Sequence, residues 1–213
     1  YIKEQGYKIG ALVAFSGGTD SSLLLALAQE AVGDRVLAVT ARSAFIPRRE
    51  RAEAAALAAR LGVRHRFLDI DPLADDELRA NPPERCYLCK RMLLRALLEI
   101  ARDEGLAVVL DGGNVDDGAD YRPGRRAVAE LGVRSPFVEA GLTKDEIRQL
   151  SREMGLPTWD KPAMACLSSR IPYGEELTLE RLARVDEAEE LLRGAGFRQV
   201  RVRDHGAVAR IEV

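Results

Sequence analysis

The chain has 213 residues, 46% hydrophobic and 31% charged, enough for one compact domain with a real core and a small appendage, and it is no short disulfide scaffold. Thirty-two basic side chains against 34 acidic ones give a net charge of -2, which excludes a broad basic surface for a polyanion, so any nucleotide contact must be local. No apolar run approaches the roughly 20 residues that span a bilayer, no signal peptide is visible, and an odd cysteine count suits a reducing compartment, so a cytoplasmic protein is expected. The chain begins at Tyr1 and stops at Val213 inside a strand pattern, so both ends read as trimmed. Only five basic residues are lysine (Lys3, Lys8, Lys90, Lys144 and Lys161), and the excess of arginine over them reads mostly as base composition.

Through residue 112 short apolar runs alternate with Ala/Leu-rich helical stretches, the pattern of a parallel α/β fold. Strands are expected at Ile9–Phe15, Val36–Ala41, Arg64–Ile70 and Ala107–Leu110, continuous and apolar as doubly covered strands are. Helices over Ser21–Val32, Arg48–Leu61 and Arg85–Glu104 carry Leu and Ala at i, i+3, i+4, the spacing that packs on a sheet face. Asp71–Pro83 reads as a polar loop, and Asp111–Gly124 as a Gly- and Asp-rich loop beyond a strand end, where ligands bind in open parallel sheets. Thr143 and Glu146 have capping-box spacing for a helix to Met154, followed by the Pro-bearing connector Gly155–Pro162. From Thr178 a charged helix runs to Gly194, then Phe197–Arg203 and Ala207–Val213 read as paired strands around Asp204-His-Gly206. The expected division is a domain over 1–170 and a small α+β module over 171–213.

Ser16-Gly17-Gly18-Thr19-Asp20-Ser21-Ser22 follows the first strand and opens the first helix. Two glycines let the backbone turn tightly and approach an anion, while hydroxyls and free N–H groups at the helix start donate to phosphate oxygens. The loop lacks the Gly-Lys-Ser/Thr of a Walker motif and the Gly-x-Gly-x-x-Gly of dinucleotide folds. It is similar to Ser-Gly-Gly-x-Asp-Ser, the pyrophosphate loop of the PP-loop ATP pyrophosphatases. That resemblance implies ATP cleavage between the α and β phosphates, with Ser16, Gly17, Gly18, Asp20, Ser21 and Ser22 at the nucleotide and Asp20 holding Mg²⁺. It also implies that Thr40, between Val39 and Ala41 at the end of the second strand, faces adenine and ribose. Gly112-Gly113-Asn114, with Asp116 and Asp117, would close over the nucleotide.

Cys86 and Cys89 sit i, i+3 at the start of a helix whose N-terminus favours their thiolates. Alone the pair fits a redox dithiol, half a zinc site or two buried small residues. Structural zinc wants four closed ligands and would need His65 or His205, whereas a [4Fe-4S] cluster held by Cys86, Cys89 and Cys166 leaves one iron open to carry sulfide. Arg170 lies four residues beyond Cys166, close enough in sequence to neighbour a thiolate or a phosphate.

Further blocks carry a closer resemblance: Arg85-Cys-Tyr-Leu-Cys-Lys90, Asp111–Asp117, Asp120-Tyr-Arg-Pro-Gly124, Gly132-Val-Arg-Ser-Pro136 and above all Lys161–Gly174. With these the chain resembles, over essentially its whole length, the LarE-type sulfur transferases of nickel-pincer nucleotide biosynthesis, which serve lactate racemase maturation. The resemblance implies that ATP adenylates a carboxylate of pyridinium-3,5-biscarboxylic acid mononucleotide, after which sulfur displaces AMP to leave a thiocarboxylate. Activation is needed because a carboxylate is a poor electrophile. The sulfur comes either from a three-cysteine [4Fe-4S] cluster, which the cysteine count favours, or from Cys166 itself, left as dehydroalanine. The same resemblance puts Arg170, Arg201 and Arg203 at the substrate phosphate, Arg201 and Arg203 sharing one face of a strand. Glu190 and Glu212 are candidates for a divalent ion.

Three other readings compete. A PP-loop tRNA thiolation enzyme would need basic surface that the charge does not offer. An ammonia-using synthetase of the NAD or GMP kind would leave the cysteines incidental. A non-catalytic ATP-binding module would bind nucleotide without releasing pyrophosphate. The expected partners are the pyridinium substrate, a sulfide donor that the sequence does not name and a second copy of the chain; neither membrane nor nucleic acid is expected.

Overall fold

The computed structural model describes residues 10–118, 123–163 and 165–213, so Ile9, Asp120, Tyr121, Arg122 and Met164 lie outside the described residues. In chain order the first elements are β1 (Ala11–Ala14), α1 (Thr19–Val32), β2 (Val36–Arg42), α2 (Arg48–Arg60), β3 (Arg64–Asp69), α3 (Asp76–Arg79) and α4 (Arg85–Asp103). There follow β4 (Val108–Leu110), α5 (Gly124–Glu130), α6 (Pro136–Glu139), α7 (Lys144–Glu153), α8 (Leu179–Gly194), β5 (Arg201–His205) and β6 (Val208–Glu212).

The first four strands are parallel, in the order β3-β2-β1-β4. Side chains alternate across a strand, and in β1, β2 and β4 both faces are apolar; β3, Arg-His-Arg-Phe-Leu-Asp at the sheet edge, is exposed or half-buried throughout, which corrects the expectation of an apolar, doubly covered strand there. Ala11, Val13, Val36, Ala38 and Leu110 enter one core with Leu23 and Leu24 of α1, Leu57 of α2 and Ile147 of α7. Leu12, Leu37, Val39 and Val109 enter a second core with Leu94, Leu97 and Ile100 of α4 and Ala127 of α5. Each fully buried leucine here contributes about 1.5–3 kcal/mol. The expected sheet with helices on both faces is therefore the fold observed.

The chain runs outward from β1 through β2 to β3, then returns to the other side of β1 as β4. The reversal lies between β1 and β4, which places the phosphate loop and the Asp111–Asn114 loop side by side at the carboxyl ends of those strands. A third cluster joins Phe45, beyond β2, and Leu167 to Ile171, Leu177, Leu182 and Val185, with Cys89 and Cys166 packed against it. The boundary expected at 170/171 falls inside this cluster.

Three local expectations are corrected. Asp71–Pro83 contains two short helical turns, a 3-10 turn at Pro72–Ala74 that Asp71 caps by accepting from the Leu73 N–H and α3, which Asp75 caps by accepting from the Leu78 N–H, each at 3.1 Å. Residues 197–200 precede the hairpin instead of opening it. The hairpin turn falls at Gly206-Ala207, since Asp204 pairs with Ala209 in the ladder and its carboxylate accepts from the Gly206 N–H at 2.9 Å. The capping box at Thr143 and Glu146 is present as expected.

Candidate active site

The phosphate loop is held open by its own hydroxyls. Ser16 Oγ accepts from the Gly18 N–H at 3.3 Å and lies 3.0 Å from Ser21 Oγ, while Ser21 Oγ donates to the Gly18 carbonyl at 3.2 Å. Gly17 has φ +73, where a Cβ would be strained and would stand 3.0 Å from Cβ of Ala54, so glycine is required here. No side chain caps α1 at Gly18, which leaves the first-turn N–H groups for an anion. Ser22 departs from its expected phosphate contact: it is fully buried and its hydroxyl closes the loop on the Gly18 carbonyl at 2.7 Å.

The loop after β4 packs directly on this cradle. A Cβ on Gly112 would lie 3.1 Å from the Ser21 N, and the Gly113 N–H donates to Asp111 Oδ1 at 2.9 Å. Asn114 Nδ2 donates to Asp20 Oδ1 at 3.2 Å. Asp116 is turned away to accept from the Lys144 N–H at 2.7 Å, and Asp117 accepts from the Asn114 N–H at 3.1 Å. Thr40 is buried on β2 with its hydroxyl 2.9 Å from His65 Nε2.

Sequence reasoning missed the lysines. Lys144 Nζ lies 2.5 Å from Asp20 Oδ2, Lys90 Nζ lies 2.5 Å from Asp111 Oδ2, and Lys161 Nζ donates to the Gly17 carbonyl at 3.1 Å. Every lysine among the described residues thus borders the phosphate loop or the loop beside it. Their scarcity in an arginine-rich chain was the available signal. Burial would raise the Asp111 carboxyl, but Lys90 and the Gly113 N–H hold it below its ordinary value.

The cysteines converge from two segments. Cys89 of α4 and Cys166 pack against the same apolar cluster, and Cys166 Sγ lies 2.9 Å from Ser168 Oγ. Burial, and then the neighbouring sulfurs of Cys166 and Cys86, push the half-buried Cys89 thiol up to about 12, whereas Cys86 lies at the surface, its thiol raised by partial desolvation and the Cys166 sulfur against the pull of Arg85. For Cys89 burial therefore opposes the help expected from the α4 N-terminus. Among the described residues no three His, Cys, Asp or Glu side chains are grouped to hold a metal ion.

The expected phosphate arginines divide. Arg170 is almost fully buried: its Nε donates to Glu189 Oε1 at 2.7 Å and its Nη1 to the Ala165 carbonyl at 3.1 Å and Ser169 Oγ at 2.9 Å. With its fork so engaged it is a structural ion pair, not a free phosphate ligand. Arg203 is clamped to Glu212 at 2.7 and 3.0 Å and also donates to the Ser169 carbonyl at 3.3 Å. Arg201 lines a small cleft with Gln199, Glu212 and Val213. Glu190 pairs with Arg193 at 2.8 Å.

A parallel sheet with a Ser-Gly-Gly-x-Asp-Ser cradle at its switch point defines the PP-loop class of ATP pyrophosphatases, whose members use ATP and Mg²⁺. The NAD synthase family matches residues 1–85. The chain is 44% identical over 202 residues to the pyridinium-3,5-bisthiocarboxylic acid mononucleotide synthase of Lactiplantibacillus plantarum, covering 94% of this chain and 73% of that one. It is 46% identical over 203 residues to an uncharacterized protein of Synechocystis, covering 95% and 76% of the two chains. A tRNA-specific 2-thiouridylase of Rickettsia felis is 30% identical over 187 residues, but only 51% of that protein is covered. The chain belongs to the LarE-type family of pyridinium-3,5-bisthiocarboxylic acid mononucleotide synthases. Among the described residues no helix is long and apolar enough to cross a membrane.

Proposed function

We propose that this protein is an ATP-dependent sulfur transferase that adenylates a carboxylate of pyridinium-3,5-biscarboxylic acid mononucleotide and converts it to a thiocarboxylate. The observation that carries the reading is the approach of the cysteine segments to the cradle. Cys89 adjoins Lys90, which pairs with Asp111 beside the loop, and Cys166 lies five residues beyond Lys161, which holds the Gly17 carbonyl.

Ser16, Gly17, Gly18, Ser21 and the first turn of α1 bind the phosphates of ATP, with Thr40 and Gly113 lining the nucleoside side. Asp20 would hold Mg²⁺, which would supply charge neutralisation at the phosphates; its pairing with the Lys144 ammonium supports a carboxylate that takes a cation. A substrate carboxylate oxygen attacks the α-phosphorus, pyrophosphate leaves, and an acyl-adenylate results. Sulfur then attacks the acyl carbon and AMP departs with the C–O bond electrons. Arg201, with Arg203 behind it, binds the substrate phosphate. The segment over 171–213 thus serves substrate, while 1–170 serves nucleotide chemistry.

Cys86, Cys89 and Cys166 are the sulfur-handling group. Three neighbouring thiols fit a [4Fe-4S] cluster in donor type, although they form no closed ligand group here. Such a cluster would present sulfide on its open iron. Without it Cys166 attacks the acyl carbon, and loss of its α-proton expels sulfur from Cβ, leaving dehydroalanine in the chain. The setting is cytoplasmic, and the exposed Val208 and Ile211 of β6 support a homo-oligomer.

Incubation with Mg·ATP and the pyridinium dicarboxylate mononucleotide should release pyrophosphate only when both are present. Pyrophosphate release that ignores the dicarboxylate would refute the reading. Anaerobic iron and sulfide analysis separates the two sulfur sources: about four irons per chain mark the cluster, and an iron-free protein that loses the mass of H₂S at Cys166 marks sacrifice.

A further inference from the structure

Lys161 is the most closely held lysine of the site, with a side chain only 15% exposed. Its ammonium donates to the Gly17 carbonyl at 3.1 Å and meets Glu50 Oε2 at 2.7 Å and Glu53 Oε2 at 2.9 Å. Three donors therefore meet three acceptors, which fixes the ammonium in place. Nearby, Thr19 Oγ1 donates to the Thr158 carbonyl at 2.7 Å, so the connector bearing Lys161 is strapped to the loop at a second point. A cavity of about 630 Å³ is lined by Gly17, Glu50, Thr158 and Lys161, so this strap borders open space beside the loop.

A trans peptide is planar, so its C=O and the following N–H point in opposite directions. The Gly17–Gly18 peptide is trans, and its carbonyl faces Lys161. The Gly18 N–H consequently faces the other way, where it donates to Ser16 Oγ, itself a hydroxyl of the loop, at 3.3 Å. Both flanking residues lack a Cβ, so this plane turns at little steric cost when unanchored. A turned plane would present a carbonyl oxygen, not an N–H, to the phosphates.

We propose that Lys161 is a positioning residue for adenylation: it anchors the Gly17 carbonyl from behind and thereby keeps the Gly18 N–H aimed at the nucleotide phosphates. The inference rests on Ser16–Ser22 being the ATP cradle. Lys161 also neutralises Glu50 and Glu53, so its test must separate anchoring from charge.

Titration calorimetry of Mg²⁺ with a non-hydrolysable ATP analogue into the full chain reads the effect directly, with the thermal unfolding midpoint followed in parallel. Lys161→Met should weaken binding by about tenfold or more, whereas Lys161→Arg, which keeps charge and donors, should stay within about threefold of the parent. Lys161→Met with Glu50→Gln and Glu53→Gln removes the bare carboxylates and should remain weak. Glu50→Gln with Glu53→Gln alone keeps the anchor and should bind like the parent, a comparison that survives even if Lys161→Met fails to fold. In turnover, Lys161→Met should raise the KM for ATP and leave that for the pyridinium substrate unchanged. Parent-like binding by the triple variant or by Lys161→Met, or weakened binding by the double glutamine variant, overturns the proposal. If the parent chain binds no nucleotide, the reading of the cradle itself fails.

Discussion

Lys144 Nζ sits 2.5 Å from Asp20 Oδ2, so the carboxylate proposed to hold Mg²⁺ is paired with an ammonium from the first turn of α7. A Mg²⁺ ion held at Asp20, as proposed, would have to displace that amine. Asp20→Asn should lower pyrophosphate release by about 100-fold or more, as loss of a charge-stabilising group at phosphate does. Lys144→Met should strengthen Mg²⁺ binding in the absence of ATP, measured by calorimetry. Unchanged Mg²⁺ affinity in that variant would show that the lysine does not compete for Asp20.

Gly17→Ala tests the loop backbone. At φ +73, with Ala54 Cβ 3.0 Å from the new methyl, alanine meets both torsional and steric opposition. A loss of about 1–3 kcal/mol in stability is expected from such a strained position, with a larger loss in pyrophosphate release. Denaturant melts and the coupled assay measure the two, and an alanine variant as stable and active as the parent would contradict the loop geometry.

Glu189 is completely buried and accepts from Arg170, Arg193 at 2.8 Å and the Val202 N–H at 3.1 Å, tying the Cys166 segment to α8 and β5. Burial would raise its carboxyl, but Arg170 and these donors outweigh it and the net displacement is downward. A lowered folded-state value means that its stabilisation is complete above the unfolded value of about 4.3 and is lost as the pH falls through the folded value. Glu189→Ala should cost about 3–5 kcal/mol at neutral pH by leaving Arg170 buried without its counter-charge. The variant should also show a shallower loss of stability on acidification below pH 4 to 5. Equal acid sensitivity in both proteins would remove Glu189 from this role.

Arg201 and Arg203 should behave differently. Arg201→Met should raise the KM for the pyridinium mononucleotide by about tenfold or more, the worth of a charged hydrogen bond to phosphate, and leave ATP binding intact. Arg203→Met removes the clamp on Glu212 and should lower stability as well as affinity. A parent-like KM in Arg201→Met would place the phosphate elsewhere.

Much of this was legible in the chain because it is written locally. The apolar runs at 9–15 and 36–41 and the Ser16–Ser22 loop each state their role within a few residues. What was not legible depends on distant partners. Lys144 and Asp20 are far apart in sequence, so their pairing appears only once α7 docks beside α1. Arg170 lies in the most distinctive block, and nothing in that block tells that Glu189 on α8 occupies its guanidinium. The Cys89 thiol shows the same limit: the helix N-terminus is visible in sequence, whereas the burial that raises it comes from packing.

The account stands most directly on Cys166. Mass spectrometry of the reaction product, with pyrophosphate measured in the same tube, compares the parent with Cys166→Ala. The variant should still release pyrophosphate, since the cradle is intact, and should form no product in which sulfur replaces a carboxylate oxygen. Thiocarboxylate made by Cys166→Ala at the parent's rate would contradict the account.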